Sequence, residues 1–235
     1  MSRPIYLSQS AIKDFLTCRK RYYYRVFHSE EAEKTDEMSL GNVVHLALEK
    51  SWDNQEVANN IALNSMKNFF LPNIYTDVVL ELIDNYFNNF KMLTTSKDEV
   101  EYNFKVPYYD SVASNVFLVG KFDRINKESN MVIDWKTGKQ KFGSMSNDIQ
   151  SIIYYNSYKT LFGSSPQLVY VYLKDKKLVP YNPDETYIKV IYDEIIPEII
   201  DAVLSDSYSH GGLYSNACKY CSFKRFCYTE LGLSQ

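Results

Sequence analysis

Apolar side chains recur at helical spacing through roughly the first 90 residues of the chain. Ser8 is placed to cap a first helix that we expect to run to about Val26, with its apolar face formed by Ala11, Phe15, Cys18 and Tyr22. After an acidic loop over 30–37, a second helix is expected from about Gly41. Two more are expected, one through Ile61, Met66 and Phe69 and one over 78–90. The first part of the chain is therefore predicted to be helical.

The spacing of apolar residues changes to two near residue 100. Apolar positions then alternate with polar ones in the order Val100, Glu101, Tyr102, Asn103, Phe104, Lys105, Val106. This alternation is typical of a half-buried strand, and the apolar runs 116–125 and 131–135 predict two further strands of a meander. A helix is expected over 147–161, strands over 168–173 and 178–181, and a long helix over 184–204. These elements predict a mixed α/β fold.

Composition places the chain among ordinary globular proteins. It has 235 residues, of which 45% are hydrophobic and 23% charged, so disordered and coiled-coil classes are excluded. No apolar run approaches the length of a membrane span, and we expect a cytoplasmic protein. The formal net charge of -3 means that any binding of nucleic acid would have to rely on local basic patches.

Two carboxylates and a lysine are expected to converge on neighbouring strands. Asp134 and Lys136 point to the same face of their strand, and Asp123 on the preceding strand can join them. Carboxylate oxygens suit Mg²⁺ or Mn²⁺, and a lysine beside them can orient a nucleophile and offset charge on a phosphate. The alternative is a surface ion pair followed by a turn, but the apolar residues 131–133 and Trp135 make that strand more apolar than a surface strand needs.

The four cysteines are unevenly distributed. Cys218, Cys221 and Cys227 lie within ten residues of one another, whereas Cys18 lies on the predicted first helix. Clustered cysteines in a reducing compartment indicate metal ligands rather than disulfides. From the residues alone, the trio fits either zinc or three of the four ligands of an iron-sulfur cluster, and Cys18 fits a buried free thiol equally well.

Taken in order, these motifs resemble the PD-(D/E)xK nuclease superfamily in its RecB-type branch. Asp123 followed by Asp134-x-Lys136 carries the resemblance. The helix motif Gly41-x-x-x-His45 upstream and the motif Gln150-x-x-x-Tyr154 downstream add to it. The resemblance implies an α/β, restriction-endonuclease-like fold, with a mixed central sheet flanked by helices and an N-terminal helical insertion.

The resemblance also implies roles for the site residues. The divalent metal, Mn²⁺ or Mg²⁺, would be bound by His45, Asp123, Asp134 and the main-chain carbonyl of Trp135. Lys136 would be catalytic together with Asp123 and Asp134, while Gln150 and Tyr154 would line the side of the site that faces DNA. The alternatives are a core histidine at His45, a helix-capping glutamine at Gln150 and a core tyrosine at Tyr154.

For the cysteines, the resemblance is to the iron-sulfur members of the branch, which include CRISPR-associated exonucleases and the nuclease domain of AddB-like helicase subunits. It implies that Cys18, Cys218, Cys221 and Cys227 bind a [4Fe-4S] cluster that joins the two chain ends. Zinc is the alternative metal. Arg19 follows Cys18 where relatives often have proline.

We expect a single nuclease domain over 1–235. Residues 1–27 and 205–235 would form the iron-sulfur region, 40–95 the helical insertion and 100–204 the nuclease core. Candidate DNA contacts are Arg19, Arg21, Lys139 and Tyr154.

The expected activity is metal-dependent hydrolysis of DNA, and the resemblance implies an exonuclease that acts on single-stranded ends. The alternatives are a non-catalytic DNA-binding or assembly subunit and a structure-specific endonuclease. Expected partners are DNA and proteins of CRISPR adaptation or recombination, in a bacterial, archaeal or viral setting. The sequence does not indicate an oligomeric state.

Overall fold

A computed structural model of the chain describes residues 4–28, 35–108, 115–140, 148–211 and 216–233. The strands are Ile5–Ser8 (β1), Glu99–Pro107 (β2), Val116–Asn126 (β3), Met131–Lys136 (β4), Gln167–Tyr172 (β5) and Lys177–Tyr181 (β6). The α-helices are Gln9–Thr17 (α1), Arg19–Phe27 (α2), Asp36–Lys50 (α3), Gln55–Met66 (α4), Thr76–Asn89 (α5), Ile149–Phe162 (α6), Glu185–Lys189 (α7), Ile196–Leu204 (α8), Asn216–Lys219 (α9) and Lys224–Glu230 (α10).

The strands form one mixed sheet in the order β1-β3-β4-β5-β6, with β2 also paired to β3. Strand β3 is parallel to β1 and antiparallel to β4, whereas β5 is parallel to β4 and antiparallel to β6. The expected mixed α/β fold, with a mixed central sheet flanked by helices, is confirmed, and so is the pairing of successive strands β2, β3 and β4.

The chain divides into two compact units. One comprises the described residues within Met1–Lys34, Lys105–Val119 and Asp184–Gln235, and the other those within Thr35–Phe104 and Gly120–Pro183. We call them the terminal unit and the central unit. Strands β2 and β3 contribute residues to both. The four cysteines lie in the terminal unit and the carboxylate-lysine motif in the central unit, while the expected single-domain organisation stays a prediction.

In the central unit, helices α3, α4 and α5 pack against strands β4 and β5. The core they share includes Val43, Val44, Ala62, Leu82, Ile83, Tyr86, Ile133, Val169 and Val171. On α6, Ile152 and Ile153 are also fully buried. Burial of both β4 and β5 explains their continuous apolar sequences, which is typical of strands covered on both faces.

The first expected helix is in fact two helices. Ser8 caps α1 as predicted, since its hydroxyl accepts a hydrogen bond from the amide of Ala11. The expected continuation to Val26 is wrong, however, because Cys18 adopts an extended conformation (φ -168°, ψ 121°) that ends α1 and begins α2. The helical apolar pattern runs through both segments and therefore could not reveal this break.

Other boundaries differ from the expectation in smaller ways. Helix α3 begins at Asp36 rather than near Gly41, because Thr35 caps it and two acidic residues occupy its first turn. Helix α4 ends at Met66, before the expected Phe69. The expected helix over 184–204 consists of α7, a π-helical stretch Val190–Ile195 and α8. Strand β1 and the short helices α9 and α10 were not predicted, and the expected start of α6 at Asn147 lies outside the described residues.

Candidate active site

Asp123 and Asp134 are both buried in the central unit, on antiparallel neighbouring strands. Asp123 precedes Arg124, which is paired with Ile133, the residue before Asp134. One carboxylate oxygen of Asp123, Oδ2, accepts a hydrogen bond of 2.9 Å from the amide of Trp135. The sheet register therefore brings the two carboxylates of the predicted motif together, at the end of β4 that also carries Lys136.

Lys136 is held in place by two groups. Its Nζ lies 2.6 Å from Oδ2 of Asp134 and donates a hydrogen bond of 2.8 Å to Oε1 of Gln150. It also lies 4.9 Å from the centre of the Tyr170 ring, a contact that the sequence did not indicate. Burial acts to lower the pKa of Lys136. The carboxylates of Asp134 and Asp123 raise this pKa by more than burial lowers it, so the net shift is upward. Lys136 is therefore a fixed cation at neutral pH.

Gln150 links Asp134 to Lys136. Its Nε2 donates a hydrogen bond of 2.6 Å to Oδ1 of Asp134, while its Oε1 accepts from Lys136. The side chain is buried on the first turn of α6. The capping role considered from the sequence is not the one the structure shows, because the amide of Gln150 contacts the two site residues.

His45 lies one turn after Gly41 on α3. A Cβ added at Gly41 would lie 3.7 Å from Oγ1 of Thr137, which shows how close the helix runs to the end of β4. The Nε2 of His45 lies 2.9 Å from the carbonyl oxygen of Trp135, and its Nδ1 lies 3.4 Å from Oδ2 of Asp123. Burial lowers the pKa of His45, but Asp123 and the other nearby carboxylates outweigh this and raise the pKa to about 9.

Glu101 is a site residue that the sequence analysis did not select. Glu101, His45 and Asp123 each contribute one potential ligand atom, and these three atoms lie within 4.8 Å of one another. Glu101 has a φ of 52°, an unusual conformation for a strand residue that is not glycine. The alternation along β2 placed Glu101 among the outward-facing polar positions. Glutamate also gives no sequence signal for a positive φ, so the sequence pattern could not indicate that Glu101 belongs to the site. Its carboxylate also pairs with the ammonium of Lys121.

The electrostatics of the two aspartates differ. Burial raises the pKa of Asp134 to about 6, against the opposing effect of Lys136. Burial also acts to raise the pKa of Asp123, but His45, the amide of Trp135 and Lys136 together outweigh it, so the net shift of this pKa is downward. With His45 and Glu101, these carboxylates supply one nitrogen and several oxygen ligands, which fit a divalent cation such as Mn²⁺ or Mg²⁺.

Tyr154 is buried next to the site, with 6% of its surface exposed. Its ring packs edge-on against Phe104 and Phe122, and its hydroxyl donates a hydrogen bond of 2.5 Å to the carbonyl of Lys121. Nearby Asp134 and burial raise its pKa well above the usual range of tyrosine. The structure therefore shows Tyr154 as a neutral side chain that ties α6 to β3.

The other predicted DNA contacts occupy varied settings. Arg19 forms an ion pair with Glu198, and Nε of Arg21 lies 2.7 Å from Oδ1 of Asp14. Lys139 is exposed, close to the end of β4. The positive charges of Arg19 and Arg21 are therefore partly offset within the terminal unit. The roles of Arg19, Arg21 and Lys139 in DNA binding stay predictions.

All four cysteines line one small cavity of about 20 Å³ in the terminal unit. Arg21, His210 and Lys224 line it as well, and Nε2 of His210 is buried without a hydrogen-bond partner. Burial raises the pKa of Cys221 and also that of Cys227, the latter to about 11. Cys18 lies at the break between α1 and α2, Cys218 on α9, Cys227 on α10 and Cys221 in the turn between those two helices.

The chain packs closely around Cys18. The amide of Gly211 donates a hydrogen bond of 3.2 Å to Sγ of Cys18, and a Cβ added at Gly211 would lie 3.1 Å from Cβ of Cys18. Amide hydrogen bonds to sulfur and nearby cations are features that stabilise metal-bound thiolates. The residues around this cavity therefore fit a thiolate-bound metal or cluster.

Solved structures similar to this chain include one nuclease-related protein of low sequence identity. Within the described residues, no helix is both long and apolar enough to cross a membrane. Curated proteins give no significant match. A candidate exonuclease from Eubacterium rectale has a similar solved structure, with a TM-score of 0.63 and 12% identity over 92% of this chain and 87% of that one. The structure of SSO0001 is 14% identical, with a TM-score of 0.46 over 97% of this chain and 88% of that one.

The family model for the PD-(D/E)XK nuclease superfamily matches residues 6–228. That range includes His45, Glu101, the two aspartates, Lys136 and all four cysteines. The chain therefore belongs to the PD-(D/E)XK nuclease superfamily.

Proposed function

We propose that this protein is a metal-dependent DNA nuclease, acting as an exonuclease on single-stranded ends. The observation that carries the proposal is the position of Lys136, which Asp134 and Gln150 fix beside the His45, Glu101 and Asp123 group. Membership of the superfamily supports hydrolysis of nucleic acid, and the similarity to a candidate exonuclease supports attack at strand ends.

His45, Glu101 and Asp123 would hold Mn²⁺ or Mg²⁺, with Asp134 and the carbonyl of Trp135 as the further ligands that the RecB-type resemblance implies. When bound, such a cation supplies an activated water and neutralises charge on the scissile phosphate. The two fixed ring contacts of His45 set its orientation before any ligand arrives. To bind a cation through nitrogen, the ring must first lose a proton.

Lys136 acts electrostatically in this proposal. Because its pKa is raised, it stays protonated and does not serve as a general base at neutral pH. Its ammonium instead stabilises negative charge that develops on the phosphate oxygens and orients the attacking water. Gln150 acts through Lys136 and Asp134, so we assign it a positioning role.

In the terminal unit, we propose that the four cysteines bind a [4Fe-4S] cluster with a structural role. The four thiols line one cavity, which supports a single shared metal centre. The spacing of the cysteines resembles that of the iron-sulfur members of the RecB-type branch, and this resemblance favours a [4Fe-4S] cluster over zinc.

Cleavage assays test the proposed activity. The purified protein is incubated with end-labelled single-stranded DNA in Mn²⁺, in Mg²⁺ and in EDTA. We expect mononucleotides or short products with either metal and none with EDTA, and no cleavage of circular single strands. Cleavage of circles would indicate an endonuclease, and binding without any cleavage would indicate a non-catalytic subunit.

The biological setting follows from the same resemblance. A role beside CRISPR adaptation or recombination proteins is part of this proposal, and co-purification of the tagged protein from its native host tests it. Recovery of the protein without such partners, under conditions that preserve the cluster, would contradict that assignment.

A further inference from the structure

A second pocket of the terminal unit lies between α2 and α10. Its volume is about 580 Å³, within the range of small-molecule and nucleotide sites. Its lining is Lys20, Tyr23, Tyr24, His28, Arg225, Phe226, Thr229 and Glu230. These residues recur at intervals of three and four along each helix, so the pocket is formed by one face of α2 and one face of α10.

The pocket is lined by aromatic rings in mutual contact. The rings of Tyr24 and Phe226 are 5.4 Å apart, and those of His28 and Phe226 are stacked at 5.8 Å. Tyr23 lies 6.0 Å from His28. Tyr23 and Phe226 are half-buried, so part of each ring borders the open pocket.

Cations accompany these rings. Nζ of Lys20 lies 4.7 Å from the centre of the Tyr23 ring, and Cζ of Arg225 lies 4.8 Å from that of Phe226. Lys20 also lies 2.7 Å from Oε1 of Glu230, which fixes its position. Aromatic rings with cations lying over them match a chain of bases and phosphates better than an aliphatic peptide, which offers neither stacking partners nor regular negative charge.

We propose that this pocket binds unpaired bases of single-stranded DNA, with Tyr23 and Phe226 as stacking faces and Arg225 as a phosphate contact. The inference rests on the proposed nuclease function and extends it by naming a base-binding subsite apart from the cleavage residues. The cysteines supply a reason for its location, because Cys18 immediately precedes α2 and Cys227 lies on α10. A cluster bound by both would hold the two faces of the pocket together.

Binding is measured by fluorescence anisotropy with the full-length Lys136→Ala protein in EDTA, so that cleavage does not interfere with the measurement. The ligands are a labelled 20-nucleotide oligothymidylate and the same strand made of abasic sites. We expect Tyr23→Ala and Phe226→Leu each to weaken oligothymidylate binding by about 10-fold, in line with the loss of one stacked base. Phe226→Leu keeps an apolar side chain in contact with Tyr24 and so preserves packing.

Tyr220→Ala is the matched control. Tyr220 is 79% exposed and carries a lysine 5.3 Å from its ring centre, yet it does not line the pocket. We expect its affinity for oligothymidylate to match that of the parent protein. Visible absorbance and thermal unfolding of each variant establish whether the terminal unit is folded.

Comparing the affinities for oligothymidylate and abasic DNA, in the parent and in the variants, distinguishes loss of base stacking from a general structural effect. The parent protein should bind abasic DNA more weakly than oligothymidylate, and Tyr23→Ala should lose most of this discrimination. Equal discrimination in the parent and the pocket variants would overturn the subsite. If that occurs while the wild-type protein still cuts single strands, the nuclease proposal stands; if the wild-type protein neither binds nor cuts them, both fail.

Discussion

The Nε2 of His45 lies 2.9 Å from the main-chain carbonyl oxygen of Trp135, ninety residues further along the chain. Both groups were expected to be metal ligands, and the structure places them in direct contact with each other. Because a carbonyl can only accept, the hydrogen bond requires a proton on Nε2. Metal binding by this nitrogen would require that proton to leave.

This contact leads to a prediction about pH. In the metal-free protein, NMR titration of the His45 ring should give a pKa near 9, above the usual 6.5. Asp123→Asn should lower that pKa, because it removes the strongest contribution that opposes burial. A value for His45 at or below 6.5 in the wild-type protein would contradict the prediction.

The same shift affects stability. A folded-state pKa above the unfolded one means that the His45 charge stabilises the fold fully below about pH 6.5. That stabilisation should be lost as the pH rises through about 9. Thermal unfolding of metal-free wild type and His45→Ala at pH 6 and pH 10 measures it, and we expect their difference in Tm to shrink at the higher pH.

Glu101 is expected to contribute to metal affinity. Glu101→Gln should weaken Mn²⁺ binding by about 10- to 100-fold, measured by calorimetry, since it removes a charged oxygen beside His45 and Asp123. Glu99→Gln is the matched control, because Glu99 lies two residues earlier on β2 and pairs with Lys127 outside that group. Equal affinities for Glu101→Gln and Glu99→Gln would remove Glu101 from the site.

Lys136 is expected to act on the rate of cleavage rather than on metal binding. Lys136→Ala should reduce cleavage of single-stranded DNA by about 100- to 1,000-fold, the usual effect of removing one electrostatic stabiliser of a transition state. Mn²⁺ affinity should persist. Lys159→Ala is the control, because Lys159 is an exposed lysine near the end of α6, and this variant should cleave DNA like the wild type. Undiminished cleavage by Lys136→Ala would sink the assignment.

Gly120 is required by the packing of β2 against β3. A Cβ at this position would lie 2.5 Å from the ring of Phe104, which packs against Phe122. Gly120→Ala should therefore lower the free energy of unfolding by about 1–3 kcal/mol. Gly138→Ala, where an added Cβ meets nothing within 4 Å, should leave it almost unchanged. Chemical denaturation of the two variants compares them directly.

The cysteine site is tested by colour and by stability. Protein purified without oxygen should be brown and absorb near 400 nm, and Cys18→Ser should lose the absorbance and unfold at a lower temperature. A cluster that links positions far apart in the chain restricts the unfolded chain more than a local link does. Its loss should therefore lower the unfolding temperature. Ala217→Ser, a change in the lining of the same cavity, should keep the colour. Colourless wild-type protein with stoichiometric zinc would overturn the cluster.

The sequence by itself determined the elements whose signals are local. Alternation along β2 and the apolar runs of β3, β4 and β5 located the strands, and the cap at Ser8 located α1. It also determined the Asp123, Asp134 and Lys136 motif, because the period of a strand places Asp134 and Lys136 on one face whatever surrounds them. The order of these residues with His45 and Gln150 indicated the superfamily.

Tertiary structure decided what depends on residues far apart in sequence. The break at Cys18 follows an apolar pattern that continues through it, so only packing of the terminal unit reveals it. The role of Glu101 depends on a positive φ within a strand, which glutamate does not signal. The pocket between α2 and α10 also depends on tertiary structure, because more than 190 residues separate the two helices in sequence. Contacts over such a distance arise from packing rather than from local conformational preference.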